Sequence, residues 1–337
     1  MSRILRIGTR DSQLAVWQAT LVQDLLKQAG VSSELVYMKS EGDVDTITPL
    51  YALGVTGVFT KTLDAALLNE RIDIAVHSMK DVPVQLARGI QQAAVLKRAS
   101  TKDIFVYKKD SDLDTLGFIN GQWSERNEAL KTVQPPTSNF EPPAFTIATS
   151  SIRRIAQWLN RYPGHKIENL RGNVNTRLRK VQEHDWNGAI FAAAGLERIE
   201  LRPQNAVDLD WMLPAPAQGA IMVVCREGDD FAWESCQSFN DEATALCTKI
   251  ERDFLSTLMG GCSTPISALA EVQDGEVYLR ANIVSPDGKQ KAVIEDRIAL
   301  ANAANLGLTA AKDILLQGGQ EIVDRIRKTG LTTNGEV

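Results

Sequence analysis

The stretch FTIATSSIRRIAQWLNRYPGHKIENLRGNVNTR, residues 145–177, decides the fold. Phe145 to Ala148 is a short apolar run and reads as a strand. Thr149-Ser150-Ser151 follows, and hydroxyl residues of this kind satisfy the orphan amides at a helix start. The spacing then predicts a helix over Ile152 to Leu159, a strand over Lys166 to Leu170, and a second helix over Val174 to Glu183. Strand–helix–strand–helix punctuation with short connections favours a parallel or mixed sheet covered by helices.

The same rhythm extends outward in both directions. Upstream lie a strand at Ile4 to Ile7, a helix opening at Asp11 or Ser12 and stopping near Gly30, a strand Leu35 to Met38, a helix Phe59 to Asn69 and a strand Ile72 to Val76. In the first of these helices Leu14, Trp17, Leu21 and Leu25 are expected to form the buried stripe. A second unit begins near Lys102 with a strand Asp103 to Tyr107, and continues through strands Ala189 to Ala193 and Ala220 to Cys225. Residues 117–144, broken by Pro135-Pro136 and Pro142-Pro143, read as a long surface insertion with one short helix around Ser124 to Lys131. After a helix over Asp241 to Leu258, with Leu246, Ile250, Phe254 and Leu258 on one stripe, the character changes. Three strands joined by Asp274-Gly275 and Pro286-Asp287-Gly288 turns, then a helical tail from Asn302 to Lys328 interrupted at Gly318-Gly319, make a smaller α+β module. The expected division is 1–99 with 218–237, 100–217, and 238–337.

Composition narrows the function. The chain has 337 residues, 44% hydrophobic and 23% charged, as for a globular protein with a sizeable core. Lys plus Arg number 37 against 42 Asp plus Glu, a net charge of −5. That balance excludes a general nucleic-acid binder, so any basic patch is local. No apolar run approaches the length of a membrane span, and Met1 to Arg6 has none of the sections of a signal peptide. Cytoplasmic residence is expected. Cys225, Cys236, Cys247 and Cys262 form no CxxC pair, and His77, His165 and His184 are scattered, so no metal site is expected. Cys225, Cys236 and Cys247 read as small buried hydrophobes.

Three constellations carry chemistry. The first is arginine at strand-to-helix junctions: Arg153 and Arg154 after Ser151, Arg171 and Arg177 around Gly172-Asn173, Arg10 beside Thr9 and Ser12, and Arg198 after Ala194-Gly195-Leu196. One such arginine is as well explained by a capped helix or a surface ion pair. Four junctions of one kind point instead to a shared cleft beyond the strand ends and to a ligand with several carboxylates or phosphates. The second is Val76-His77-Ser78-Met79-Lys80-Asp81-Val82-Pro83, where Asp81 at a cleft mouth can stabilise a cation or shuttle a proton, unless Lys80 and Asp81 merely decorate a turn. The third is Met259-Gly260-Gly261-Cys262-Ser263, a cysteine on a bendable loop, suited to covalent attachment.

These residues, taken in order, resemble the porphobilinogen deaminase (hydroxymethylbilane synthase) family. The match runs through Ile7-Gly8-Thr9-Arg10, Leu14 to Ala19, His77 to Pro83, Thr149 to Arg154, Leu170 to Val174, Gln218-Gly219-Ala220 and Gly260-Gly261-Cys262. The resemblance implies two periplasmic-binding-protein-like α/β domains plus a smaller α+β C-terminal domain with a three-stranded sheet. It implies a transferase that condenses four porphobilinogen molecules, with loss of ammonia, into the linear tetrapyrrole hydroxymethylbilane in haem biosynthesis. The primer is a dipyrromethane, linked by motif to Cys262 through a thioether. Asp81 matches the catalytic aspartate, which holds pyrrole N–H groups and stabilises the azafulvene cation. Lys80, Asp81, Ser12, Ser151, Arg153, Arg154 and Arg177 match cofactor contacts, and Arg10, Arg171, Arg198 and Gln218 match substrate contacts. The implied partners are porphobilinogen and the growing polypyrrole, with no nucleic acid and no membrane, and the implied state is a monomer. The sequence departs from the family at Ala52 and Thr56, where lid lysines are usual, in the length of 117–144, and at Ala217, where glycine is common. A non-enzymatic, two-lobed anion-binding or sensory protein is the rival reading.

Overall fold

The computed structural model describes residues 3–39, 60–108, 113–124, 145–258 and 264–328. The first unit contains β1 (Leu5–Arg10), α1 (Gln13–Gln28), β2 (Ser33–Met38), α2 (Lys61–Leu68), β3 (Ile74–Ser78) and β4 (Ile90–Val95). The chain then crosses to a second unit: β5 (Asp103–Tyr107), a two-rung hairpin of β6 (Phe118–Ile119) and β7 (Gln122–Trp123), β8 (Thr146–Ala148), α3 (Ile152–Arg161), β9 (Lys166–Glu168), α4 (Val174–Glu183), β10 (Gly188–Ala192), α5 (Ala193–Glu197) and β11 (Ala206–Asp208). It returns as β12 (Ile221–Arg226) and α6 (Asp230–Cys236). The remainder is α7 (Glu242–Leu258), β13 (Ile266–Gln273), β14 (Glu276–Val284), β15 (Lys291–Ala299), α8 (Leu306–Ile314) and α9 (Gln320–Lys328).

The first sheet has the order β2-β1-β3-β12-β4, and the second β11-β5-β10-β8-β9. In the first, β1 runs parallel to β2 and β3, while β12 is antiparallel to both its neighbours. In the second, β8 is parallel to β9 and β10, while β5 is antiparallel to β10 and β11. Insertion of the returning strand β12 between β3 and β4 makes the first sheet discontinuous in sequence and gives two crossings between the sheets. The third sheet, β13-β14-β15, is an antiparallel meander packed under α7, α8 and α9. This is the predicted architecture in outline: two α/β units, each built on a mixed five-stranded sheet, and a smaller α+β unit with a three-stranded sheet.

Several details differ from the sequence reading. Trp17 is 36% exposed, and the buried residues of α1 are Gln18, Ala19, Val22 and Leu26, with Leu21 and Leu25 only flanking that core. The apolar stripe was read one residue off because α1 has a second apolar edge, turned toward the neighbouring unit. Strands β4 and β11 were not anticipated. Both lie at sheet edges, and Gln91-Gln92 interrupts the apolar run of β4 where one side meets solvent. Within the expected insertion, Phe118 to Trp123 forms a hairpin whose Trp123 ring packs edge-on against Trp211 at 6.2 Å. Ser124 is not helical, and 125–144 lie outside the described residues. The tail does kink as expected, with non-helical backbone at Gln317 and Gly318.

The crossings are locked to α7. Glu251, fully buried, receives Arg98 Nη1 and Nη2 at 2.6 and 2.9 Å, the Ala217 amide at 2.6 Å and the Ala270 amide at 2.8 Å. Arg98 Nε also donates to the Gln218 carbonyl. Gly219 has φ +87°, and a Cβ there would stand 2.6 Å from the Ser100 carbonyl oxygen, so the two crossing segments pass too closely for a side chain. Ala217 itself adopts φ +61°, the left-handed backbone that glycine tolerates best. The usual glycine at this position therefore has a conformational reason, which this chain meets with alanine. Glu251→Ala is expected to cost about 3–5 kcal/mol, because it strands a guanidinium and two buried amides. Thermal or urea unfolding measures this, and a loss below about 1 kcal/mol contradicts the account.

Candidate active site

A cleft of about 740 Å³ opens between the first two sheets, lined also by Leu255, Thr264 and Ile266 of the C-terminal unit. The parallel strands β1, β3, β8 and β10 all deliver their carboxyl ends to it, the usual location of a ligand in such sheets. The first turns of α1 and α3 follow β1 and β8, and that of α4 follows β9, so three helix N-termini face one space. Among the described residues, eight basic side chains line the cleft, against Asp11 and Asp81 as the acidic ones. A chain of net charge −5 thus concentrates positive charge in one hollow.

Lys80 and Asp81 sit on a single 3-10 turn at the end of β3, anchored by the buried Met79 beside them. Lys80 Nζ donates to Gln218 Oε1 at 3.3 Å. Burial pushes the Lys80 ammonium down to about 8, with Arg154 and Arg153 adding to the effect and Asp81 and Asp103 opposing it. Asp81 is exposed on the cleft wall. His77, on β3 three residues before Lys80, is buried and held neutral, its pKa lowered by burial and then by Arg10 to about 4.

On the opposite wall, Ser150 Oγ donates to the Leu170 carbonyl at 2.7 Å and accepts the Leu170 amide at 2.9 Å, tying two junctions together. Ser12 and Ser151 are the N-cap residues of α1 and α3, yet neither hydroxyl makes a capping bond, and both line the cleft. Asn173 does cap α4, accepting the Thr176 amide. Arg177 Nε donates to the Gly172 carbonyl at 2.7 Å. Its pKa falls to about 10, first from burial and then from the like charges of Arg154, Arg171 and Arg10. Arg171 is 2% exposed, and Arg10 lies at the mouth of β1. Arg198 stands at the C-terminal end of α5 rather than at a helix start. It donates to the Gly219 carbonyl at 2.7 Å, lies over the Trp17 ring, and is lowered to about 10 by burial.

The structure adds a residue that the sequence reading missed. Asp103, fully buried at the start of β5, is bound by Arg153 Nη2 at 2.7 Å and by Arg154 Nε and Nη2 at 3.1 and 2.8 Å. Gln218 Nε2 also donates to it, at 3.1 Å. Burial alone raises a carboxyl, but the charges of Arg153, Arg154 and Lys80 overcome it and hold Asp103 at about 2. Arg153 and Arg154 are therefore not free forks at a helix start, as their spacing suggested, but a buried pair sharing one counter-ion. Gln218, 1% exposed, bridges Lys80 to Asp103 and serves the crossing as well as the cleft wall.

Every sequence-predicted site residue among the described residues lines this one cleft. Cys262 lies outside the described residues, as do Ala52 and Thr56. Cys225, Cys236 and Cys247 are buried, and burial pushes their thiols up to about 11, 12 and 11. Among the described residues there is no cluster of three or more His, Cys, Asp or Glu able to hold a metal, and no helix long and apolar enough to cross a membrane.

Comparison with known proteins gives two family matches. Residues 5–234 match the model of the porphobilinogen deaminase dipyrromethane cofactor binding domain, and residues 245–316 that of the porphobilinogen deaminase C-terminal domain. Among solved structures, the chain is similar to the VFT2 domain of Bordetella pertussis BvgS, as a double mutant, with 12% identity, 69% of this chain and 84% of that chain covered, and TM-score 0.37. It is also similar to a nutrient binding protein from Burkholderia cenocepacia bound to methionine, with 14% identity, 72% and 93% covered, and TM-score 0.39. A third is the L-cystine solute receptor of Neisseria gonorrhoeae, with 12% identity, 75% and 91% covered, and TM-score 0.38. These likenesses are too distant to bear on function.

Proposed function

The chain belongs to the porphobilinogen deaminase family, and from that premise we propose how its cleft works: Asp81 is the catalytic carboxylate, Cys262 carries the primer through a thioether, and the arginines hold the carboxylates of primer and substrate. The chain is a transferase of tetrapyrrole synthesis with hydroxymethylbilane synthase activity, and its cofactor is a dipyrromethane. The family match extends through the C-terminal unit, which favours the transferase over a two-lobed anion-binding protein. Within this reading the protein acts as a cytoplasmic monomer, divided at the limits given in the sequence analysis.

The donor set fits a polycarboxylate primer. Arg177 is crowded by the like charges of Arg154, Arg171 and Arg10, which Asp81 opposes and a bound carboxylate would oppose further, and Arg153 Nε is buried without an acceptor. Ser12, Ser151, Lys80, Arg153, Arg154 and Arg177 would hold the primer, and Arg10, Arg171, Arg198 and Gln218 the incoming ring. Bound, the dipyrromethane supplies the nucleophilic pyrrole carbon from which the product grows. Asp81 accepts hydrogen bonds from pyrrole N–H groups, stabilises the cation left on porphobilinogen as ammonia departs, and takes up the proton lost on coupling. Asp103 keeps Arg153 and Arg154 together by offsetting their repulsion. The observation that carries the reading is the convergence of these cations on the one cleft that Asp81 also lines. Intact-protein mass before and after adding porphobilinogen tests it, through the presence of a covalent primer and its stepwise growth.

Anion binding should weaken early as pH rises. Lys80 is depressed to about 8, so it is charged below that pH and neutral above it, whereas an ordinary lysine keeps its charge to about 10. Calorimetric affinity of the apoprotein for succinate should fall through an inflection near pH 8 that Lys80→Arg removes. A wild-type profile flat to pH 10 would contradict the role of Lys80.

A further inference from the structure

Arg252 projects from α7 across to the segment that carries Asp81. Its Nη1 donates to the Val82 carbonyl at 2.9 Å and more weakly to that of Met79 at 3.5 Å. Its Nη2 donates to the carbonyls of Pro83 at 2.5 Å and Val84 at 3.1 Å. The Met79 carbonyl precedes Lys80, and the Val82 carbonyl follows Asp81. One planar fork therefore grips both ends of the Lys80-Asp81 dipeptide through backbone carbonyls. The same helix is fixed on its other side by the adjacent Glu251, which accepts from Arg98 and from the Ala217 and Ala270 amides. It ends at Leu258, four residues before Cys262, and Leu255 on its last turn lines the cleft.

We propose that Arg252 is a positioning residue for the condensation, holding the Asp81 turn at a fixed offset from the helix whose last residue, Leu258, stands four residues before Cys262 in the sequence. The inference rests on the roles proposed above for Asp81 and Cys262. Its physical content is that a tethered primer and a carboxylate on separate units need a common ruler. Guanidinium geometry suits that task, since its rigid donors match several carbonyls at once, which an ammonium does not. A misplacement of about 1 Å costs on the order of 10²-fold in rate.

The test uses purified holoprotein of wild type, Arg252→Gln and Arg252→Lys, with Ile314→Val as a variant weakened in the C-terminal core away from the cleft. Primer loading is read by intact mass, thermal stability by unfolding, and kcat and KM with porphobilinogen. Arg252→Gln is expected to load primer as wild type does and to keep KM within about threefold. Its kcat should fall by about 10- to 100-fold, with partly elongated masses accumulating. Arg252→Lys should fall between the two, and Ile314→Val should lose melting temperature without losing kcat. A wild-type kcat in loaded Arg252→Gln overturns the inference, as does a kcat loss matched by Ile314→Val at equal destabilisation, or one fully explained by lost primer. If Arg252→Gln does not fold, Arg252→Lys is judged by the same criteria. Failure of the functional reading looks different: wild type without a covalent primer, or an active Asp81→Ala variant, removes the premise whatever Arg252 does.

Discussion

Asp81→Ala is expected to fold, to melt close to wild type and to lose turnover by roughly 10²–10⁴-fold. Its side chain is exposed on the cleft wall, so deletion should change stability by no more than about 0.5 kcal/mol. The chemical loss is large because, among the described residues, no other carboxylate at the site can substitute. Asp103 is spent on Arg153 and Arg154, and Asp11 belongs to the start of α1 rather than to the β3 turn. Without Asp81 the cation formed as ammonia leaves would face a wall of guanidiniums, which repel it. Asp81→Asn should retain hydrogen-bond acceptance but not charge and fall between the two. Asp81→Glu keeps the charge but displaces it, which separates position from electrostatics. Single-turnover rates on primer-loaded protein, beside thermal melts, measure all three. Turnover within tenfold of wild type in Asp81→Ala would remove the carboxylate from the mechanism.

The residues that define this site were largely legible because each sits at a chain reversal with its own local signal. Serine before a helix, glycine at Gly172 and arginine on either side can be read in a window of ten residues, and the strand ends then bring the windows together. What could not be read was pairing across the chain. Nothing near Asp103 announces that it neutralises Arg153 and Arg154 fifty residues later, nor that Gln218 joins it after more than a hundred. Arg252 and Glu251 gave no signal either, since on a helix with an apolar stripe they resemble solvated charges. In the fold, the sequence pattern reveals the interior strands of the two α/β sheets and their edges β2 and β9, and conceals the other two edges: β4 carries Gln91 and Gln92 where an edge meets water, and β11 is three residues long. The face of α1 was misplaced for a related reason, since Trp17 is taken up by the neighbouring unit, through Arg198 stacked over its ring.

Cys262→Ser should yield a protein whose mass equals its own sequence and whose turnover is lost, whereas wild type from porphobilinogen-making cells should be heavier by two linked pyrroles. Two facts make the attachment point specific. The other three thiols are buried among apolar side chains and raised to about 11 or 12, so at neutral pH they offer almost no thiolate, the form that reacts with an electrophile. Sequence position supplies the second. Thr264, two residues after Cys262 in the sequence, lines the cleft. Serine fails as a replacement because its hydroxyl is a far weaker nucleophile unless a neighbouring base activates it, and the cleft walls are dominated by cations. Cys247→Ser, altering a core thiol on α7, should keep both primer and turnover. A primer mass on Cys262→Ser protein would place the bond elsewhere. An unmodified wild-type chain that still converts porphobilinogen would mean that the guanidiniums hold the growing polymer by charge alone.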